Sequence, residues 1–471
     1  MTTESRLRRF AVLPVVFALV LLAWCLPAGI AQAPAKLVVS NAYIFSMSPD
    51  QRAPFHGYLV VGDDGTLLAV AAGEPPASLK AAMVWNSEGR WVVPGFISAH
   101  SHLWQSAYRG LASDQTLLGW IAVLYGNAVT QASAEDFYWF TLEGGLDHLR
   151  HGITATYNFS YGGHNRAQSE EFNEKEFRGG ADSGLRFVHG WQPGKAGPTY
   201  TTEMADGELG TLLSWTKQQR QEKLLSVMIN GATAFDDTYQ QALLEAALMK
   251  RYHVGNQSHY LEQPETQVLD RERFKWFTDS GLLTDKMIFG HFIHTDAAIL
   301  AATGKAHAAM SWNPLSNGRL ASGVADIPQY QKAGVRVGMG VDGEASADLA
   351  DPFENMRTGL YAIRDKYENA GVMSPYDVMR LHTMGSADVL GVADKLGSLE
   401  VGKMADFLVI DPRRFGHIYD PYATLVFVTS QPDLERVYVG GELMVEHGTP
   451  LKQDLTKVQR EVDERVALHA K

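Results

Sequence analysis

Short apolar runs alternate with polar and glycine-rich turns between residues 37 and 93. Runs at 37–39, 58–61, 67–70 and 91–93 read as strands, and Asp63-Asp64-Gly65 reads as a turn between two of them. This pattern predicts a small β-sheet. From Gly95 the rhythm changes to brief apolar runs separated by longer stretches with helical spacing. Eight such runs stand at 96–99, 153–157, 185–190, 224–229, 254–258, 287–291, 308–312 and 335–341, with helices expected between them, for example over 240–251 and 375–390. Eight strand–helix units over about 300 residues satisfy the requirement of a (β/α)8 barrel, whose functional groups gather at the carboxyl ends of the strands. Strand patterns return at 407–410, 436–439 and 443–445, and the simplest place for them is beside the first strands. The predicted fold is α/β. A (β/α)8 TIM barrel over 94–395 carries a small discontinuous β-sandwich domain from 32–93 and 396–450, and 451–471 forms a C-terminal helix.

The beginning of the chain departs from this pattern. Arg6, Arg8 and Arg9 precede an apolar stretch over 10–26, followed by the small residues Ala28, Gly29 and Ala31. A basic head, a short apolar run and a small-residue exit predict a secretory signal peptide over 1–31. The apolar run is shorter than the ~20 residues of a spanning helix and contains Pro14, so cleavage, export and no stable membrane span are expected. The sole cysteine, Cys25, lies in this leader, which excludes disulfides, thiolate zinc sites and cysteine nucleophiles from the remainder. With 45% hydrophobic and 20% charged residues, the 471-residue chain can build a large core. Its net charge of -12 disfavours nucleic acid as a partner.

The candidate chemistry sits at strand ends. His100 and His102 finish the first barrel strand, and residues two apart on a strand share a face, so both imidazoles point into the barrel mouth. Neutral imidazoles suit zinc or ferrous iron, although such a pair alone is equally compatible with a hydrogen-bonded structural role. His259 and Glu262 stand at the end of the fifth strand, His291 ends the sixth and Asp342 follows the eighth. In a closed barrel the eighth strand neighbours the first, so Asp342 can reach a cation held by His100 and His102. A core histidine or a capping aspartate would explain any one of these singly. Their common placement points to one site.

These residues, with their flanking segments, resemble the amidohydrolase superfamily. Within it they are similar to the branch of cytosine, guanine and S-adenosylhomocysteine deaminases and triazine hydrolases. The resemblance rests on Val93-Pro94-Gly95-Phe96 leading into His100-Ser101-His102, on His259-Tyr260-Leu261-Glu262, on Gly290-His291, on Asn313-Pro314 with Asn317, and on Asp342-Gly343-Glu344. It implies a metal-dependent hydrolase of C–N bonds, with His100, His102, His259 and Asp342 as ligands of one divalent ion, zinc or iron. Relatives with two ions carry a lysine at the end of the fourth strand, where this chain has Met228-Ile229-Asn230-Gly231. The resemblance further implies that Glu262 serves as the acid, that Asp342 accepts the proton of the attacking water, and that His291 orients the water and stabilises the developing charge. An acid beside the attacked carbon favours a C=N bond of a heterocycle, hence deamination.

Trp104, Gln105, Tyr108, Trp120, His189 and Trp191 follow early strands and are expected in the wall of a pocket for a planar small molecule. Deaminases of methylthioadenosine keep an acidic residue just before the tryptophan that Trp120 resembles, whereas this chain has Leu118-Gly119. The alternatives at this stage are an amide, urea or halide hydrolase on the same site, or a non-catalytic binding protein on an inherited barrel. A homo-oligomer is compatible with each.

Overall fold

The computed structural model describes residues 35–469. The leader expected at 1–31 lies outside the described residues. Five strands come first: β1 (Ala35–Ile44), β2 (Phe55–Gly62), β3 (Leu67–Ala72), β4 (Ala81–Asn86) and β5 (Trp91–Pro94). The barrel strands follow as β6 (Phe96–His102), β7 (Ile153–Asn158), β8 (Arg186–Trp191), β9 (Leu224–Gly231), β10 (Asn256–Tyr260), β11 (Met287–His291), β12 (Ala309–Trp312), β13 (Arg336–Met339) and β14 (Asp342–Gly343). The chain then returns through β15 (Phe407–Ile410), β16 (Leu434–Val439), β17 (Glu442–Glu446) and β18 (Thr449–Pro450), and ends in the helix Leu455–His469.

Among the described residues the strands form two sheets of nine. The first runs in the order β18-β17-β16-β15-β5-β1-β2-β3, with β4 paired parallel to β1, so β5 joins the two ends of the chain. Alternation along β5 serves two cores. Val92 packs with Leu37, Leu59, Phe407 and Val409, whereas Trp91 and Val93 face the opposite way, towards Leu149, Leu408 and Ile410. Leu59 and Val61 share one core with Phe407 and Tyr438 from the far end of the strand order, so the sheet folds over on itself as a sandwich. Leu67 N–H donates to the Lys403 carbonyl and Ala405 N–H to the Gly65 carbonyl, which closes that fold. The sandwich is tied to the barrel by a buried pair in which Arg186 Nε and Nη2 donate to the two Asp406 carboxylate oxygens at 2.9 and 3.1 Å.

The second sheet is the parallel barrel, ordered β13-β12-β11-β10-β9-β8-β7-β6-β14. Its eighth strand is broken. β13 stops at Met339, Gly340 and Val341 interrupt it, and β14 resumes to pair with β6 in the register Asp342↔Ser101 and Gly343↔His102. The expected run at 335–341 is therefore shorter, and its continuation carries the closing contact. Val341 N–H donates to Ser98 Oγ at 3.0 Å across the seam, so a side chain bridges where the ladder is interrupted. β6 extends beyond the expected 96–99 through His102.

Two more differences have local causes. The continuous helix expected over 375–390 is divided into Pro375–Arg380, a wide turn at Leu381–Gly385 and Ser386–Val389. There Ser386 Oγ donates to the Leu381 and Met339 carbonyls and His382 Nδ1 lies 3.1 Å from the Ile97 carbonyl, so contacts to the barrel strands replace regular helical spacing. β4 was not expected, because Ala81-Ala82-Met83-Val84 is apolar without alternation and lies mostly exposed at an edge.

Candidate metal centre and active site

The barrel register brings the strand-end residues together. On β6, His100 and His102 present their rings 5.0 Å apart. His102 Nε2 lies 3.2 Å from His259 Nε2 on β10 and 3.4 Å from Asp342 Oδ1 on β14, and His100 Nε2 lies 3.3 Å from the same oxygen. A tetrahedral zinc site with Zn–N bonds of ~2.0–2.1 Å has donor–donor edges of about 3.3–3.4 Å, and these three separations match them. The second ring nitrogens are occupied. His100 Nδ1 meets Gln257 Oε1, and Gln257 Nε2 donates to the Ala99 carbonyl at 2.8 Å. His102 Nδ1 lies 3.1 Å from the Phe159 carbonyl. Each contact places the ring proton on Nδ1 and turns the Nε2 lone pair inward, as ligand histidines require.

His100 Nε2 is buried and has no hydrogen-bond partner among the described residues. Burial, followed by the neighbouring His100, pulls His102 down to about 3, and burial holds His259 well below the usual histidine range. These imidazoles are neutral donors. Burial opposes the charge of Asp342, but the close approach of His100 and the surrounding imidazoles holds its carboxyl well below the usual carboxylate range. Neutral nitrogens around one anionic oxygen form a donor set that a divalent cation fits.

His291 stands beside this group. His100, His259, His291 and Asp342 have ligand atoms mutually within 4.8 Å. The nitrogens of His291 are otherwise engaged, however. Nδ1 is 2.7 Å from Asn317 Oδ1, and Asn313 Nδ2 donates to Nε2 at 3.3 Å, while Asp342 Oδ2 is 3.7 Å away. His102 has the shorter contacts, so the set with His100, His102, His259 and Asp342 has the tighter geometry. Glu262 Oε1 lies 3.6 Å from His291 Nδ1, and burial followed by the charge of Asp342 pushes its carboxyl up to about 8.

A cavity of about 290 Å³ opens over these groups. Its lining combines His102, His259, Glu262, His291, Asp342 and Ser346 with Leu117, Trp120, Ile121, Tyr125, Phe159, Phe235 and Leu320.

Of the six residues expected in the wall, Trp120 lines the cavity, with its indole N–H donated to the Ala345 carbonyl at 2.8 Å. The other five are corrected by the structure. Trp104 is fully buried against Tyr125, Phe137 and Tyr161, and Tyr108 packs on Phe140, so both support the wall from behind. Gln105 is buried against Gly343, where a Cβ would come within 1.8 Å of its Oε1. His189 faces outward from its strand towards Asn173 and Phe177, and Trp191 lines a different cavity beside Arg166. Strand alternation places neighbours on opposite faces, and these residues fall on the outer one. Leu117, Ile121, Tyr125, Phe159, Phe235 and Leu320 were not anticipated, because their loops carry no periodic signal.

The model of the amidohydrolase family matches residues 91–444. Over 442 residues the chain is 26% identical to a 5-methylthioadenosine/S-adenosylhomocysteine deaminase of Shouchella clausii, covering 92% of this chain and 99% of that one. A deaminase of the same description from Syntrophobacter fumaroxidans is 26% identical over 439 residues, covering 91% and 97%. Among solved structures, an adenosine deaminase from Xanthomonas campestris with bound zinc has a TM-score of 0.81 at 18% identity, covering 93% of this chain and 99% of that chain. An atrazine chlorohydrolase from Arthrobacter aurescens complexed with zinc has a TM-score of 0.79 at 20% identity, covering 91% and 100%. At these identities the structural likeness is one of fold. The family match, spanning both the barrel and the strand-end donor cluster, shows that the chain belongs to the amidohydrolase family.

Proposed function

We propose that the protein deaminates a planar nitrogen heterocycle, using one zinc ion per chain held by His100, His102, His259 and Asp342. The observation that carries this reading is Glu262. It is a buried carboxyl that lines the same cavity as the metal-fitting group, 3.6 Å from His291, and its burial favours the protonated form. Such an acid can protonate a ring nitrogen and make the adjacent carbon electrophilic. A bound ion would supply Lewis acidity that brings the pKa of water towards ~7.

The protein's own groups supply the remaining steps. Asp342 accepts a proton from the attacking water. Asn317 engages Nδ1–H of His291 and Asn313 donates to its Nε2, which holds the ring beside Asp342, where it orients the attacking water and stabilises charge developing on the attacked centre. Glu262 protonates the ring nitrogen. Carbon gains the oxygen of water, the proton held by Asp342 passes to the amino group, the C–N bond breaks and ammonia leaves, and the proton of the remaining hydroxyl returns to Glu262 as the carbonyl forms. Similarity to the methylthioadenosine and S-adenosylhomocysteine deaminases supports this class of reaction.

The test is release of ammonia by zinc-replete protein from purines, pyrimidines, pterins and triazines, run beside aryl amides, ureas and aryl halides. Ammonia from a heterocycle supports the proposal. Turnover confined to amides, ureas or halides overturns it, and metal binding without any turnover indicates a binding protein. The apolar leader at 1–31 supports export, and natively isolated protein is expected to begin near Gln32. An intact leader on exported protein would count against its cleavage.

A further inference from the structure

Phe235 is 63% exposed, although it lies at the mouth of the cavity and its ring is 6.2 Å from that of His259. A large apolar side chain left in water forgoes the gain of burial, so its surroundings matter. The segment that carries it is held in place by hydrogen bonds. Phe235 N–H and Asp236 N–H both donate to the Ala232 carbonyl at 2.9 and 3.1 Å. Ala232 N–H and Thr233 N–H donate to the buried Glu245 Oε1 at 2.8 and 3.1 Å, and Asp236 Oδ1 accepts from Asp237 and Thr238 N–H. The turn therefore presents the ring at a fixed place.

The cavity's other large apolar and aromatic lining groups include Leu117, Trp120, Ile121, Tyr125 and Leu320. The carboxylates among its described lining residues are Glu262 and Asp342, both committed to the reacting centre, and apart from that centre its uncommitted polar side-chain groups are Gln192 and the Tyr125 hydroxyl. A sugar bound there would surrender the hydration of its hydroxyls to a largely apolar wall with few partners, which disfavours every hydroxyl left unpaired. An apolar group would gain from the same wall.

We propose that Phe235 is a specificity-determining residue that closes over an uncharged apolar substituent, aryl or alkyl, carried by the heterocycle on the side away from the reacting carbon. This inference rests on the deaminase reading above, since it presumes that the ring sits against Glu262.

The probes are 9-benzyladenine with adenosine and 9-benzylguanine with guanosine, which differ in the substituent and share the ring. Zinc-loaded Glu262→Gln protein is titrated with each by calorimetry, with and without Phe235→Ala, and wild-type protein is assayed for ammonia with the same four compounds. The expected result is that at least one benzyl compound binds about tenfold or more tightly than its ribosyl partner, and that Phe235→Ala reduces this preference to under about threefold. Phe235→Leu, which keeps apolar bulk, is expected to retain part of it. Equal or tighter binding of both ribosyl compounds overturns the proposal, as does a preference untouched by Phe235→Ala or an absence of binding by both benzyl compounds. Phe235-dependent binding of benzyl compounds with no ammonia released from any heterocycle would leave the specificity intact and remove the deaminase reading.

Discussion

His102 Nδ1 faces the Phe159 carbonyl at 3.1 Å, and the same Phe159 ring stands 4.6 Å from that of His259. One residue thus fixes the tautomer of one imidazole through its backbone and the position of another through its side chain. His102 and His259 then meet through Nε2 atoms at 3.2 Å, an arrangement that a shared cation relieves. The double variant His100→Ala, His102→Ala is expected to lose stoichiometric zinc while retaining its circular dichroism. Elemental analysis after gel filtration checks this, and undiminished metal would refute the donor assignment.

Gln257 acts behind the ligands. Its Oε1 accepts from His100 Nδ1 and its Nε2 donates to the Ala99 carbonyl, so it orients the ring without touching the ion. Gln257→Leu is expected to weaken zinc binding by about 10–100-fold, the usual effect of losing an outer-shell partner. Competition with a chromophoric chelator measures it.

Glu262→Gln is expected to keep the metal and to lose at least ~100-fold in kcat/KM, because Gln preserves the shape of the carboxyl but carries no transferable proton. His291→Asn should lower the rate similarly, since it removes the ring that orients the water and stabilises charge in the same step. Near-normal turnover by fully metallated Glu262→Gln would remove Glu262 from the mechanism, and loss of metal would make it a ligand.

Stability should depend on pH through Glu176. Its carboxylate accepts from Tyr161 and Gly162 N–H, yet burial pushes it up to about 8 from an ordinary 4.5. The folded state therefore binds a proton more tightly than the unfolded chain between pH ~4.5 and ~8, and stability falls as pH rises through that window. Urea midpoints at pH 5 and pH 8.5 should differ less in Glu176→Gln than in the wild type.

The Arg186–Asp406 pair holds the sandwich to the barrel, and Asp406 Oδ1 also accepts from Gly440 N–H at 2.7 Å. Asp406→Ala leaves a buried guanidinium unpaired and is expected to destabilise the protein by about 3–5 kcal/mol. Chemical denaturation measures this, and a change under about 1 kcal/mol would contradict it.

The barrel was legible because buried parallel strands are short apolar runs with helical stretches between them, and the site was legible because its polar groups interrupt those runs at their ends. What escaped detection depends on non-local geometry. His291 and Asp342 have φ of 65° and 63°, a left-handed backbone that single-residue propensity does not favour for either. The break at Gly340-Val341 is stabilised by Ser98, a residue far away in sequence. The apolar wall comes from the short helix Leu117–Val123 and the Phe235 turn, whose residues read equally well as core or surface until the fold places them. His189 and Trp191 show the converse: aromatic character was visible, but the outer face of β8 was not.

The position of β5 between the two ends of the chain has a consequence for the order of folding. During synthesis β1, β2 and β5 emerge first, but Val92 and Val93 cannot be covered by β15 until the entire barrel has been made. The first strands must wait as a partly paired ribbon with apolar edges, a hazard for self-association, while the nascent barrel assembles beside them. Late arrival of β15 and β16 then completes both domains in one event, so a chain cut before Phe407 would forfeit more than its missing strands.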